Sequence, residues 1–430
     1  MGMQKKSRLI FLLGAVVLLI IGMSFSIHTF GRRSKGNNEQ KMLTTKGNTQ
    51  EENINKVKQD SQIEKKNTSA QDNLKNGSAS EKPQKSSGEF KVKAIYVTAS
   101  SAGDSKTLQH IIDLVKETEL NTIVLDVKDD YGRVDYESNI DEVKQNNAYT
   151  KFYNVDNVIK TLHENNVHVI GRIVCFKDPL LASKRADLAI KRPNGQVWRE
   201  NGKIPWINPY NEEAWKYNID IAKEAADKGF DEIQFDYVRF PTARTTDVFY
   251  GNNIPSKADT ISRFLETAEK EIHAGKGITF SADVFGIICE SPNDYENIGQ
   301  DLEKVGMNID YVCPMVYPSH FANSKQNGDG QSINGVRFTA PDLDPYRVVY
   351  NTLAKAKERV SKVEGYKAKF RPYLQDFTAT WLSSGYYQKY GADQVRQQIK
   401  AVYDAGFDEW ILWDASNVYS EDALEKKKTK

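Results

Sequence analysis

The sequence is poor in cysteine and histidine, and this scarcity argues against several kinds of site. Its three cysteines, Cys175, Cys289 and Cys313, are odd in number and far apart among 430 residues, so a disulfide framework or a zinc site is disfavoured. Each cysteine lies in or beside an apolar run, and we expect three small buried side chains. The six histidines form no H-E-x-x-H motif and no other paired spacing. We therefore expect neither a metal ion nor a cofactor.

Other functional patterns are missing as well. The formal net charge of +1 shows no excess of basic residues, so we expect no nucleic-acid partner. No G-x-S-x-G motif is present, which argues against a serine nucleophile on an elbow turn. No G-x-G-x-x-G motif follows the first strand-like run, which disfavours an open doubly wound sheet that binds a dinucleotide. The residues left to carry chemistry are carboxylates and aromatic side chains.

An apolar run from Leu9 to Ile27 follows a short basic stretch near the amino terminus. About 20 apolar residues suffice to cross a bilayer, and no clear cleavage site for a signal peptidase follows the run. We predict that residues 1–30 form a cytoplasmic stub and an uncleaved single-pass transmembrane anchor, with the rest of the chain outside the cell membrane. A buried core helix is the alternative. Basic residues also follow the run, so the positive-inside rule orients it only weakly.

Residues 31–89 contain no aromatic side chain and are rich in Asn, Lys, Gln, Ser and Glu. Such a segment cannot bury enough apolar surface to offset the entropy lost on ordering. We predict a disordered linker over 31–89 and one folded domain over 90–430.

The folded domain shows eight strand-like runs that alternate with helical patterns. The runs are Val92–Ala99, Thr122–Lys128, His168–Cys175, Glu232–Phe240, Thr279–Gly286, Tyr311–Tyr317, Phe370–Phe377 and Glu409–Ala415. Alternating strands and helices indicate a parallel sheet of the α/β class. Eight such units in about 340 residues are typical of a (β/α)8 TIM barrel with loop insertions.

Three of these runs share a pattern that ends in an acid. The stretch from Gly229 to Pro241 reads G-F-D-E-I-Q-F-D-Y-V-R-F-P, a helix-ending glycine followed by a buried strand and then Asp236. Comparable runs end at Asp126 and Asp414. A lone buried carboxylate costs several kcal/mol unless it is paired. A shared pocket at the carboxyl ends of the strands, where parallel barrels place their chemistry, accounts for all three acids.

The predicted strand ends and the loops after them supply the candidate site. Aromatic rings stack on sugar faces, and two carboxyl groups can cleave a glycosidic bond. A structural salt bridge explains any one of the acids equally well, but the whole set favours a site. The candidate substrate-binding residues are Asp126, Lys128, Arg172, Trp206, Arg239, Tyr317, His320, Gln375, Asp376, Trp413 and Asp414.

Six short motifs stand near these strand ends. They are L-D-V-K-D at 125–129, W-I-N-P-Y-N at 206–211, F-D-Y-V-R-F-P at 235–241, A-D-V-F-G at 282–286, P-M-V-Y-P-S-H at 314–320 and W-D at 413–414. On these motifs the chain from Val92 to Val418 resembles a bacterial family of putative glycosyl hydrolases, formerly a domain of unknown function. The resemblance implies a TIM barrel distantly similar to the α-amylase-like glycosidases.

In those glycosidases, a nucleophilic aspartate ends strand four and a general acid follows strand five. Asp236 and Asp283 occupy these places and are the implied catalytic residues. Two departures stand out: Arg239 follows the first aspartate rather than preceding it, and the acid is an aspartate rather than the usual glutamate. Glu290 could serve as the acid instead. We expect Arg239 to hold Asp236 ionised through its charge and a hydrogen bond.

The sequence thus leads to a membrane-anchored extracellular glycosidase that acts on a cell-surface or extracellular polysaccharide or oligosaccharide. A barrel that binds glycan in the cell envelope without cleaving it remains an alternative. A carbohydrate esterase or lyase is disfavoured, because the serine and metal motifs are missing.

Overall fold

The computed structural model describes residues 90–427, and these residues form a closed barrel of eight parallel strands. The strands are β1 (Lys93–Val97), β2 (Thr122–Lys128), β3 (His168–Val174), β4 (Glu232–Asp236), β5 (Thr279–Phe285), β6 (Tyr311–Met315), β7 (Lys369–Phe370 and Tyr373–Gln375) and β8 (Trp410–Trp413). All eight predicted runs contain a strand, so the TIM-barrel prediction is confirmed. The predicted anchor and linker lie outside the described residues.

The ring of strands is complete. Each strand pairs in parallel with its neighbours in chain order, and β8 closes the barrel against β1 through the pair Lys93 and Trp410. Both segments of β7 pair with β6. The interruption in β7 falls at Arg371 and Pro372, and a proline has no N–H to donate to a ladder. Closure excludes the open doubly wound sheet.

Helices surround this ring. They are α1 (Ala99–Gly103), α2 (Ser105–Glu117), α3 (Asp141–Gln145), α4 (Val155–Glu164), α5 (Pro179–Lys184), α6 (Glu212–Asp227), α7 (Lys257–Lys276), α8 (Leu302–Val305), α9 (Pro345–Val360) and α10 (Ala392–Asp404). The sequence marks several of their ends. The Asn211 side chain caps the start of α6, and Gly229, after its end, has a left-handed φ of 99°. Short hairpins pair Arg199–Glu200 with Ile204–Pro205 and Gln331–Ile333 with Val336–Phe338.

A charged layer closes the amino-terminal end of the barrel. The buried Arg371 guanidinium donates to the carboxylates of Glu232, at 2.7 Å, and Glu409, at 2.9 Å. It also lies over the Tyr311 ring, 3.8 Å from its centroid. Because every charge in this layer has a buried partner, it fills the barrel without an isolated ion.

The three cysteines are buried and free, as the sequence predicts. Between residues 90 and 427, no helix combines the length and the apolar character needed to span a bilayer.

Candidate active site

A cavity of about 320 Å³ opens at the carboxyl end of the barrel. The side chains of its wall come from the carboxyl ends of six strands, β3 to β8, and from the loops that follow them. The lining residues are Arg172, Asp236, Tyr237, Arg239, Asp283, Phe285, Gln300, Met315, Tyr317, His320, Tyr373, Phe377, Thr378, Thr380, Trp381, Trp413, Asp414, Ala415 and Ser416. The structure therefore brings together both predicted catalytic aspartates and six of the eleven predicted binding residues.

Asp236 is the last residue of β4, and its carboxylate is held by Arg172 from the neighbouring strand β3. The Arg172 Nη2 and Nε atoms donate to Asp236 Oδ2 at 2.6 and 3.0 Å. The backbone N–H of Tyr237 donates to Asp236 Oδ1. These charge-assisted hydrogen bonds fix the position of the Asp236 carboxylate. The carboxylate is largely buried but forms part of the cavity wall.

Arg172 links Asp236 to a second carboxylate beneath the cavity. Its Nη1 donates to Asp126 Oδ1 at 2.7 Å, and the Tyr96 hydroxyl donates to Asp126 Oδ2. Asp126 does not line the cavity, and burial raises its pKa to about 6 despite the nearby guanidinium. The Trp413 ring stacks on Tyr96, so the arginine is enclosed by rings as well as by acids.

The expectation that Arg239 holds Asp236 is corrected by this geometry. Arg239 makes no ion pair within residues 90–427, and its Nη1 atom donates a hydrogen bond to the backbone carbonyl of Phe240 at 3.0 Å. Tyr237 explains the separation. Its φ of 50° lies in the left-handed region, so the regular strand conformation ends directly after Asp236. Backbone strain of this kind costs about 1–3 kcal/mol and clusters at functional sites.

Asp283 lies beside Asp236 on the neighbouring strand β5. The register pairs Phe235 with Ala282, so the two aspartates are the next residues of their strands. Asp283 is buried, and its Oδ1 atom finds no hydrogen-bond partner among the described residues. Burial, followed by the negative charge of Asp236, raises the pKa of Asp283 well above its usual range. The site thus places an ion-paired carboxylate beside a carboxyl group whose pKa is raised by burial.

Glu290, the alternative acid, stands outside the cavity wall. Its Oε2 atom accepts the backbone N–H of Asn334 at 2.9 Å. This position favours Asp283 over Glu290 as a proton donor.

Aromatic side chains form the opposite wall. The Tyr317, His320, Phe377 and Trp381 rings lie edge to face or stacked, with centroids 5.1–6.0 Å apart. Burial lowers the pKa of His320 to about 4, so its ring is neutral near pH 7. Phe377 and Trp381 were missed from the sequence, although Phe377 ends the predicted run Phe370–Phe377; in the structure both follow the end of β7 at Gln375. Their spacing in F-T-A-T-W, close behind a strand end, was the available signal.

Three predicted residues act behind the wall rather than on it. The Trp206 ring is fully buried against Tyr237 and lies 4.9 Å from the Arg239 guanidinium. Gln375 accepts the backbone N–H of Ser319 and donates to Asp342. Asp376 accepts from both the backbone N–H and the hydroxyl of Ser420, and burial raises the pKa of Asp376 to about 6.

Lys128 is not brought to the cavity. Its ammonium group is fully buried and donates to Asp178 at 2.9 Å and to Asn218, on α6, at 2.7 Å. The pairing of β2 with β3 shifts register between Asp126 and Lys128, so the regular alternation of side chains fails there. A predicted substrate contact is thereby corrected to a contact between the barrel and its outer helices.

Within the described part of the chain, no group of three or more His, Cys, Asp or Glu side chains has the arrangement needed to hold a metal ion.

Comparison with known proteins agrees with this architecture. A family model described as "putative glycosyl hydrolase domain" matches residues 94–419. No protein with a curated description matches the chain.

Solved structures also resemble the chain. A hypothetical protein from Ruminiclostridium thermocellum is 48% identical, with 44% of this chain and 97% of that chain covered and a TM-score of 0.42. The PgaB (BpsB) glycoside hydrolase domain from Bordetella bronchiseptica is 12% identical, with 79% and 100% covered and a TM-score of 0.54. The spore cortex-lytic enzyme SleL from Bacillus megaterium is 14% identical, with 77% and 72% covered and a TM-score of 0.45. At 12% identity, the similarity to the Bordetella bronchiseptica domain is evidence for the fold alone.

Proposed function

The chain belongs to the family of putative glycosyl hydrolase domains, and from this premise we propose that it is a glycoside hydrolase whose catalytic pair is Asp236 and Asp283. One observation carries the proposal. Two neighbouring carboxyl groups at the carboxyl ends of barrel strands have opposite environments, since Arg172 donates twice to Asp236 while Asp283 is desolvated without a cation of its own. Opposed environments of this kind assign one carboxyl group as acid and the other as nucleophile or base.

The proposed reaction uses these two groups in turn. Asp283 donates its proton to the glycosidic oxygen as the bond to the anomeric carbon breaks, and the leaving sugar departs as an alcohol. Asp236 either attacks the anomeric carbon or removes a proton from the attacking water. Arg172 is a positioning residue, because its two hydrogen bonds hold Oδ2 of the Asp236 carboxylate while the backbone N–H of Tyr237 holds Oδ1. One water molecule is consumed in either case.

The rest of the wall would bind the sugar. Trp413, Tyr317 and Trp381 offer ring faces or edges, and Asp414 offers a carboxylate at the rim. Asp126 acts through Arg172, and Asp376 acts by fixing the segment that carries Ser420. The substrate class proposed is a polysaccharide or oligosaccharide, and no cofactor is needed for this chemistry.

The proposal is tested by incubating the full-length protein, in detergent, with a panel of bacterial polysaccharides and measuring new reducing ends. The matched control is the Asp236→Asn/Asp283→Asn double variant. New reducing ends produced by the native protein but not by the double variant would support hydrolysis. Binding of a glycan with no new reducing ends would instead indicate a glycan-binding barrel.

We also propose that the barrel lies outside the cell, anchored by the apolar run from Leu9 to Ile27. Protease added to intact cells should then release a fragment that carries the barrel, because the sequence of residues 31–89 has the composition of an open linker. A cytoplasmic marker protein that stays intact is the control. Protection of the barrel until the cells are lysed would contradict this location.

Asp283→Asn should separate acid catalysis from binding. On glycosides with a poor leaving group, kcat/KM should fall about 100- to 10,000-fold, the usual contribution of a positioned general acid. Dinitrophenyl glycosides have a leaving group that needs no proton. On these substrates, the rate of glycosidic bond cleavage should fall far less. The native enzyme should lose activity as the pH rises through the raised pKa of Asp283, and the variant should lack that limb of the profile. An equal loss of kcat/KM on both kinds of substrate would contradict the assignment of Asp283 as the general acid.

The same variant has a stability signature. The pKa of Asp283 is raised in the folded protein, so the folded state holds a proton that the unfolded chain releases above about pH 4. The stability contributed by this protonated carboxyl group is therefore lost as the pH rises. Asp283→Asn should be at least as stable as the native protein at pH 8 and should show a flatter dependence of unfolding midpoint on pH.

A further inference from the structure

Arg239 is a buried guanidinium without a carboxylate. It is 8% exposed, lines the cavity, and makes no ion pair within residues 90–427. Its Nη1 atom donates to its neighbour's carbonyl, and its buried Nε atom has no partner among the described residues. An arginine cannot shed its proton in a protein, so the positive charge stays in the wall. Leaving such a charge unpaired costs several kcal/mol.

The other buried arginines of the described chain are all paired. Arg172 contacts Asp126 and Asp236, Arg371 contacts Glu232 and Glu409, and Arg359 contacts Glu303. Within residues 90–427, Arg239 is thus the one buried arginine without an ion pair, and it lies in the cavity wall. The fold balances its other buried guanidinium groups internally, which indicates that the partner of Arg239 comes from outside.

Three rings hold this guanidinium in place. Its central carbon lies 4.5 Å from the centroid of Phe285, 4.9 Å from Trp206 and 5.2 Å from Tyr237. Cation–π contacts offset part of the desolvation cost and fix the plane of the group. Rings do not accept the in-plane N–H bonds, so the donors other than the Nη1 N–H bonded to Phe240 have no partner among the described residues. A planar guanidinium fork matches the two oxygens of a carboxylate or the oxygens of a phosphate or sulfate ester.

We infer that Arg239 binds an anionic substituent of the glycan, so that the substrate is an acidic polysaccharide. This inference rests on the proposed function, because it places the substituent in the cavity that holds Asp236 and Asp283. The anion would meet a guanidinium without an ion pair there, whereas the Arg172 charge is already shared by three carboxylates.

The test compares acidic and neutral ligands of the same backbone on the full-length protein. Calorimetry measures binding of a uronate-containing oligosaccharide, its carboxyl-reduced form, and phosphorylated and sulfated oligosaccharides. We expect at least one anionic ligand to bind about tenfold or more tightly than its neutral counterpart. Comparing the affinities of these ligands shows whether a carboxylate, a phosphate or a sulfate is preferred.

Arg239→Gln should lower this acidic-to-neutral affinity ratio to near one. Arg244→Gln is the matched control, because it removes the same charge from an exposed side chain five residues away and should leave the ratio unchanged. Arg239→Lys keeps the charge but not the fork and should give an intermediate ratio. If Arg239→Gln does not fold, the Lys variant still tests the inference.

Equal affinities for acidic and neutral ligands in the native protein, or a preference that survives in Arg239→Gln and Arg239→Lys, would overturn the inference. Hydrolysis is scored separately by reducing ends. Cleavage of neutral glycans without an anionic preference would overturn the acidic-substrate inference and keep the hydrolase. An anionic preference without cleavage of any glycan would overturn the hydrolase and keep the anion site.

Discussion

Replacing Asp236 with asparagine should lower turnover at least about 1000-fold while the barrel remains folded. The asparagine side chain is neutral, so it can neither attack an anomeric carbon nor take a proton from water. Its amide oxygen can still accept a hydrogen bond from Arg172, and that guanidinium keeps Asp126 as an ionic partner. We therefore expect a loss of about 1–3 kcal/mol in the free energy of unfolding, well short of unfolding the domain. Reducing-end release and urea unfolding measure the two effects.

Asp178→Asn is the matched control for this variant. Asp178 is a fully buried aspartate in an ion pair with Lys128, but it lies outside the cavity wall. The substitution should cost stability, because it leaves the buried Lys128 ammonium without its anionic partner, while the asparagine oxygen can still cap α5. Turnover per folded molecule should stay near the native value. A comparable loss of turnover in both variants, or native turnover in Asp236→Asn, would contradict the catalytic role.

The barrel itself could be predicted from the sequence, because local chemistry dictates each of its units. Gly229 and Gly406 both have positive φ, as the helix-ending glycines of the repeated pattern require. The apolar runs after them become β4 and β8, buried on both faces. The ends of three strands were marked by Asp126, Asp236 and Asp414, since an acid is tolerated there only near a pocket or a partner.

The partners of those acids could not be predicted in the same way. Arg172 is 64 positions from Asp236 along the chain, and only the register of β3 against β4 makes the two meet. Arg239 is three positions away and yet makes no ion pair with Asp236, because Tyr237 turns the backbone between them. Contacts across strands depend on register and turn geometry, and neither can be deduced from a short stretch of sequence.

Lys128 shows the limit of strand periodicity. Side chains two positions apart in a regular strand share a face, so the sequence placed Lys128 beside Asp126 in the site. A register shift between them turns Lys128 outward, where Asp178 and Asn218 bind it. Irregularities of this kind are set by the packing of the barrel against its helices, and a short sequence motif does not predict that packing.

Arg172→Met should be the most destabilising of the substitutions considered, at about 3–5 kcal/mol near pH 8. The methionine fills much of the volume but leaves Asp126 and Asp236 buried without a shared cation. The pKa of Asp126 is already raised to about 6 by burial, and the guanidinium is the largest influence that lowers it. Without Arg172 that pKa should rise further.

The sign of the pH effect follows from this shift. A carboxyl group whose pKa is raised on folding contributes stability below its unfolded value, and that stability is lost as the pH rises through the folded value. Arg172→Met should therefore be much closer to the native protein at pH 5 than at pH 8, as urea unfolding midpoints would show. Arg244→Met, at an exposed arginine, should differ little from the native protein at either pH. A deficit of equal size at both pH values would mean that Arg172 supports the barrel by packing rather than by balancing the two carboxylates.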